Sequence, residues 1–295
     1  MEDCTQLLRL YNESTDKYSC QPFVLTHLPD KKVNLQTFLS RLAGESKLED
    51  FTYQNQIVFD DFLDDNGKLT KKIEIIETNL LHTNSGLMLA SQETEKSVFF
   101  RGHNYLFLET KFILAKIEQV EDIYYLYVFS KENSINHLVE FLDEKLQDMG
   151  MSIGYLSLSK HALSQMREDL GGNLTEFSLT NVTTRLKKVQ GKGIDLQNDD
   201  TFNSMKEKPN AEVYRYLFRI DQPHSALNLE KLTVSIRQNC FVHSYHHITY
   251  EALLTFVKTN VIPLATATVP VSHPLSAYDK LDIYEGHIGE LEEEE

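Results

Sequence analysis

From Ile123 to Phe129 the chain places seven apolar or aromatic residues in succession, bounded by Asp122 and Ser130. A run this short and this rich in aromatic and β-branched side chains suits a strand covered on both faces, not a helix buried on all sides. Behind it the apolar period changes. Ile135, Leu138, Val139, Leu142 and Leu146 recur at helical spacing, with Glu140, Asp143, Glu144 and Gln147 on the remaining surface. Ser130 or Asn133 is placed to cap this helix, and Gly150 to end it in the left-handed conformation. The chain is thus organised around a buried strand with an amphipathic helix laid over its sheet.

A second unit of this kind follows. Residues 241–248 read as a strand, Thr249 as a helix cap, and Tyr250, Leu253, Leu254, Val257 and Val261 repeat the spacing before Pro263 stops the helix. Any amphipathic helix has this period, so the spacing alone does not argue for duplication. Ahead of the first unit, residues 1–50 read as mainly helical. Leu7, Leu8 and Leu10 suggest a short helix, and Asn34 caps another that carries Leu35, Phe38, Leu39 and Leu42 and closes at Gly44. Residues 20–29 between them, bracketed by Pro22 and Pro29, read as an extended piece. From Asp50 onward the pattern is β-rich, with turns at residues 64–67, 84–86 and 102–104 that favour antiparallel pairing. The fold expected is α+β: two mixed or antiparallel-sheet modules at 1–150 and 151–262, each with a covering amphipathic helix after a buried strand. An extended arm with an acidic end follows at 263–295, and the strands of the two modules can also join in one body.

Charge ranks the functions open to such a chain. The formal net charge is −15, and it is unevenly spread. Residues 1–150 carry 15 Lys and Arg against 25 Asp and Glu, residues 151–262 carry 13 against 11, and residues 263–295 carry 1 against 8. Only the middle section is not acidic, so contact with a polyanion belongs there. The basic segment Arg185, Lys187, Lys188 and Lys192 reads as a hairpin turning near Gly191, with Arg215, Arg219 and Arg237 on strands that would flank it. Short lysine-rich strands are also common solvated edges. The acidic tail, opposite in charge, is expected to compete for the same surface.

Catalytic and metal signals are weaker. His243, His246 and His247 lie close in sequence. On a strand, His243 and His247 share a face at about 13 Å, too far apart for one zinc. Asp60, Asp61, Asp64 and Asp65 form the densest acidic group, but with Gly67 at the sixth position of a calcium loop, Phe62 and Ile73 would fall where ligands are required. Glu109 and Lys111 match a nuclease-like Glu-x-Lys triplet that recurs at its chance frequency, and Cys240 is the one cysteine beside histidines. Nucleophile-elbow and phosphate-loop motifs are absent.

The three cysteines, Cys4, Cys20 and Cys240, share no metal-like spacing, and no apolar run approaches the roughly 20 residues of a membrane span. These readings favour a cytoplasmic, non-enzymatic binding or regulatory protein without a cofactor. Its expected partners are nucleic acid through 151–262, and protein partners or a second copy, with no membrane. The alternatives are a metal-dependent hydrolase or nuclease using the histidines or the acidic turn, and a structural subunit of a larger assembly.

Overall fold

The structure, a computed structural model, describes residues 19–27, 34–53, 56–58, 63, 67–121, 123–183, 185–220, 232–246 and 248–267. The leading helix near Leu7, the Asp60–Asp65 turn and the acidic end lie outside them. The fold is α+β. In the first half, β1 (Ser19–His27) and α1 (Leu35–Leu42) precede β2 (Ser46–Phe51), β3 (Ile57–Val58), β4 (Leu69–His82), β5 (Ser85–Phe100), β6 (His103–Val120) and β7 (Ile123–Phe129). Helix α2 (Glu132–Gln147) closes it. The second half runs β8 (Met151–Ser157), α3 (Lys160–Asp169), β9 (Gly172–Thr180), β10 (Lys188–Lys192), α4 (Asp200–Lys206), β11 (Glu212–Ile220), β12 (Leu232–Arg237), β13 (Val242–Ser244) and α5 (Tyr250–Phe256). A π-helical turn, Val257–Val261, and β14 (Thr266–Ala267) follow.

The described strands form one 14-stranded sheet whose main path is β10-β9-β11-β12-β13-β1-β7-β6-β5-β4-β2. Every pairing is antiparallel except that of the two-residue β3 with β6. The stretch bracketed by prolines is its shared strand. Gln21 to Leu25 of β1 pair with β7, while on the other edge Ser19 and Cys20 pair with β13, and Phe23 to His27 pair with β8. Pro22, which has no N–H to donate, falls between those two partners. Toward β1 run two meanders, β4-β5-β6-β7 from one side and β9-β11-β12-β13 from the other. A helix follows each; β2 and β3 stand ahead of the first in the chain, and β10 and α4 interrupt the second between β9 and β11.

Local chemistry accounts for the helix ends. Asn34 Oδ1 accepts from the Gln36 N–H at 2.8 Å, Ser159 Oγ from Ala162 at 3.1 Å and Thr249 Oγ1 from Ala252 at 3.2 Å. Gly44, Gly150 and Gly171 take φ of +79°, +71° and +59° where helices stop. Helix α2 departs from expectation. Its N-cap is Lys131, without a capping side chain, because Ser130 is fully buried beneath the helix start and Asn133 lies inside the first turn.

Two apolar clusters share the sheet. On one face α1 and α2 bring Phe38, Leu39, Ile135 and Phe141 onto Phe23, Ile75, Met88, Ile113 and Val128. On the other, Val24, Leu114, Tyr127 and Phe129 meet Leu163, Met166, Phe218, Ile236 and Phe256 from the second half. Alternation along β7 therefore sends Leu126 and Val128 into one core and Tyr127 and Phe129 into the other. This double burial covers Leu126 to Phe129, the second part of the apolar run, whereas Ile123 is exposed and Tyr124 and Tyr125 are half-buried. Among the described residues, no helix is long and apolar enough to cross a membrane.

Candidate anion-binding cleft and the basic strand

The basic segment forms a hairpin turned the other way from the sequence reading. Strand β10 spans Lys188–Lys192 and pairs with β9, so Gly191 lies within the strand, and the turn lies at 181–187. A Cβ on Gly191 would stand 2.3 Å from the Phe177 ring, and glycine is what lets β10 pass so close. Asn181, at φ +54°, bends the chain out of β9. The loop is tied by Asn181 N–H donating to the Lys187 carbonyl at 2.7 Å and Leu186 N–H to Thr183 Oγ1 at 2.8 Å. Arg185 and Lys187 thus sit in the exposed loop, and Lys192 sits at the far end of the strand.

Strand register gathers most of the other basic residues on one face. Lys192, Glu176, Leu217, Ser235 and His243 fall in one row across β10, β9, β11, β12 and β13. Gln190, Ser178, Arg215 and Arg237 fall in the next row, and Arg219, opposite Thr233, is exposed. Their charges are largely matched. Glu176 takes Lys192 at 2.8 Å and Arg215 at 2.6 Å, while Arg237 pairs with Glu132 at the start of α2. Lys188 Nζ stands 5.7 Å from the Tyr214 ring centroid.

Of the histidines, His243 and His246 engage separate partners. Strand β13 ends at Ser244, so the expected alternation stops there; His247 lies outside the described residues. His243 Nδ1 is 2.8 Å from Ser19 Oγ, and His246 Nε2 is 3.2 Å from Thr233 Oγ1. Burial, reinforced by Arg237 and Arg215, lowers the His243 pKa below its ordinary value. The unfolded chain therefore takes up this proton first, and stability is expected to fall as pH drops below about 6.5. His243→Gln should shrink the loss in melting temperature between neutral and mildly acidic pH; an unchanged loss would exclude this cause.

No group of three His, Cys, Asp or Glu able to hold a metal occurs among the described residues. Cys240 is buried at φ +63°, and burial pushes its thiol pKa far up, opposite to what a nucleophile needs. Glu109 is ion-paired to Lys96 at 2.7 Å.

A cleft of about 690 Å³ opens where the hairpin loop meets the start of α3 and residues 209–213. Lys187 enters from the loop, and Lys160 and His161 enter from the first turn of α3. Neither lysine has an ion-pair partner among the described residues. Glu212 is the one carboxylate among the described lining residues, and Asn181, Asn210 and Gln238 supply neutral polar groups. Lys160 and His161 were not legible as site residues, because only the fold brings them to a lysine 27 positions later than Lys160. The cleft can take an anion, with two ammonium groups for charge and amides for hydrogen bonds. The chain matches no protein-family model, and the comparisons with curated proteins and with solved structures returned no match either.

Proposed function

We propose that this protein is a non-enzymatic binding protein that contacts the phosphate backbone of nucleic acid at the loop end of the β9–β10 hairpin. One observation carries the reading: Lys160 and Lys187, neither in an ion pair among the described residues, converge with His161 on a cleft where Glu212 is the one carboxylate among the described lining residues, while Lys192, Arg215 and Arg237 are held by Glu176 and Glu132. Arg185, in the adjoining loop, extends this surface. The contact is sequence-independent, because an ammonium group reads charge and not base edges. The acidic tail competes for the same residues, since it has the same sign as the ligand.

The test is fluorescence anisotropy with labelled duplex and single-stranded nucleic acid across a salt series. Full-length protein is compared with protein ending at Ala267, which keeps β14 on β8. Binding should weaken with salt and tighten without the tail. Lys160→Glu with Lys187→Glu should weaken binding by about tenfold or more and reduce the salt slope by about 2. Absence of salt-sensitive binding by both proteins at low salt would overturn the proposal.

A further inference from the structure

Strands β5 and β6 outlast their neighbours. The β4–β5 ladder ends at Ile73 and Gln92, whereas β5 and β6 stay paired as far as Phe100 and His103, with the two-residue β3 beside β6 at Tyr105 and Leu106. Among the described residues, 93–100 therefore pair with β6 alone, which makes a ribbon of about 27 Å at roughly 3.4 Å per residue. Its turn is tight: Arg101 and Gly102 take φ of +50° and +84°, the pair of positive values that matches a two-residue hairpin turn to strand twist.

The end of this ribbon is apolar on both faces. Val98 and Phe100 lie on one face, opposite Tyr105 and His103, and Phe99 lies on the other, opposite Asn104. Val98, Phe99 and Phe100 are 47%, 74% and 55% exposed. A single exposed apolar side chain needs no explanation, but three in succession, with Ile57 exposed beside Tyr105, form a patch. Charge sets the tip apart as well. Arg101 is the one formally charged residue from 97 to 108, in a half that carries 25 acidic side chains. Its guanidinium lies 5.2 Å from the Phe100 ring centroid and makes no ion pair among the described residues. The nearest carboxylates along the ribbon, Glu95 and Glu109, are held by Lys71 and Lys96.

These properties choose between occupants. A protein face laid on the ribbon covers one side and leaves the other in water, whereas the interfacial layer of a bilayer surrounds an inserted tip on both sides. That layer also takes aromatic rings at headgroup level and offers lipid phosphate to a snorkelling arginine. We infer that the β5–β6 tip inserts Val98, Phe99 and Phe100 into the interfacial layer of a phospholipid membrane, with Arg101 on a lipid phosphate. The contact is peripheral, so it needs no spanning helix. A net charge of −15 makes zwitterionic lipid the better partner than anionic lipid. The tip is separate from the cleft at Lys160 and Lys187 and does not depend on the function proposed for it.

The chain has no tryptophan, so Phe99→Trp places a single reporter at the tip. Titration of this full-length variant with phosphatidylcholine vesicles should shift its emission to the blue. In vesicle sedimentation, Phe99→Glu with Phe100→Glu should weaken partitioning at least about tenfold. Both positions are exposed, so the fold is expected to survive, which circular dichroism checks. Lys160→Glu with Lys187→Glu should leave partitioning unchanged. The inference would be overturned by no partitioning, by binding that requires anionic lipid or those two lysines, or by full binding of Phe99→Glu with Phe100→Glu. Self-association in vesicle-free solution that the same two glutamates abolish would also overturn it, since the tip would then belong to a second copy.

Discussion

Replacing Phe129 with alanine should lower stability by about 3–5 kcal/mol, the cost of deleting a buried aromatic ring. The residue is 0% exposed at the end of β7, opposite Leu114 of β6. Its ring meets Tyr250 of α5 edge-on, with centroids 5.8 Å apart and planes at 87°. It thus belongs to the cluster in which the first half's sheet packs on the second half's elements, and neighbours fixed by two ladders cannot collapse into the space it leaves. The melting temperature should fall by on the order of 10 °C. Phe99→Ala provides the contrast. Phe99 is 74% exposed near the turn between β5 and β6, so its loss should change stability by less than about 0.5 kcal/mol. Equal effects in the two variants, measured by urea or thermal unfolding, would contradict the core assigned to β7.

The second large effect is expected at Glu132. Its carboxylate pairs with Arg237 and accepts from Asn239 Nδ2 at 3.1 Å, so the start of α2 is tied to β12 and the turn after it. Arg237 also donates to Tyr214 Oη at 2.9 Å and lies 5.1 Å from the Phe241 ring centroid. Both side chains of the pair are only about one-fifth exposed, at 21% and 22%. Glu132→Ala would leave the guanidinium half-buried without its counter-charge and remove an acidic group from a helix N-terminus. The expected cost is about 2–3 kcal/mol, somewhat below the roughly 3–5 kcal/mol of a fully buried pair. Glu132→Gln should cost less, since it keeps an acceptor for Asn239. A double-mutant cycle with Arg237→Leu should show coupling of at least about 1 kcal/mol. Additive effects would show that the pair does not act as a unit.

Elements whose signal is local were legible. The caps at Asn34, Ser159 and Thr249 follow from a side-chain oxygen two or three residues from a free N–H, and the stops at Gly44, Gly150 and Gly171 from the left-handed conformation glycine tolerates. The double burial of β7 was legible in its apolar run for Leu126 to Phe129, though Ile123 at its start is exposed. Where the local signal is ambiguous, expectation and structure part. Gly191 reads as a turn because glycine is common in turns, yet it serves a strand that runs against Phe177. The histidine run reads as one strand, yet β13 stops at Ser244, where Ser244 Oγ donates to the His246 carbonyl at 2.9 Å.

By itself, the sequence determined the class of fold, the doubly buried second part of β7, the helix caps at Asn34, Ser159 and Thr249 and the division of charge along the chain. Each of these depends on neighbours within a few positions. Tertiary structure alone decided that β1 would be shared by two meanders, that Glu176 and Glu132 would neutralise Lys192, Arg215 and Arg237, and that Lys160 would face Lys187. These depend on pairings between distant residues, Glu132 and Arg237 being 105 positions apart. Strand register and the burial it imposes select such partners from many sterically equivalent charges, and no local period records that selection.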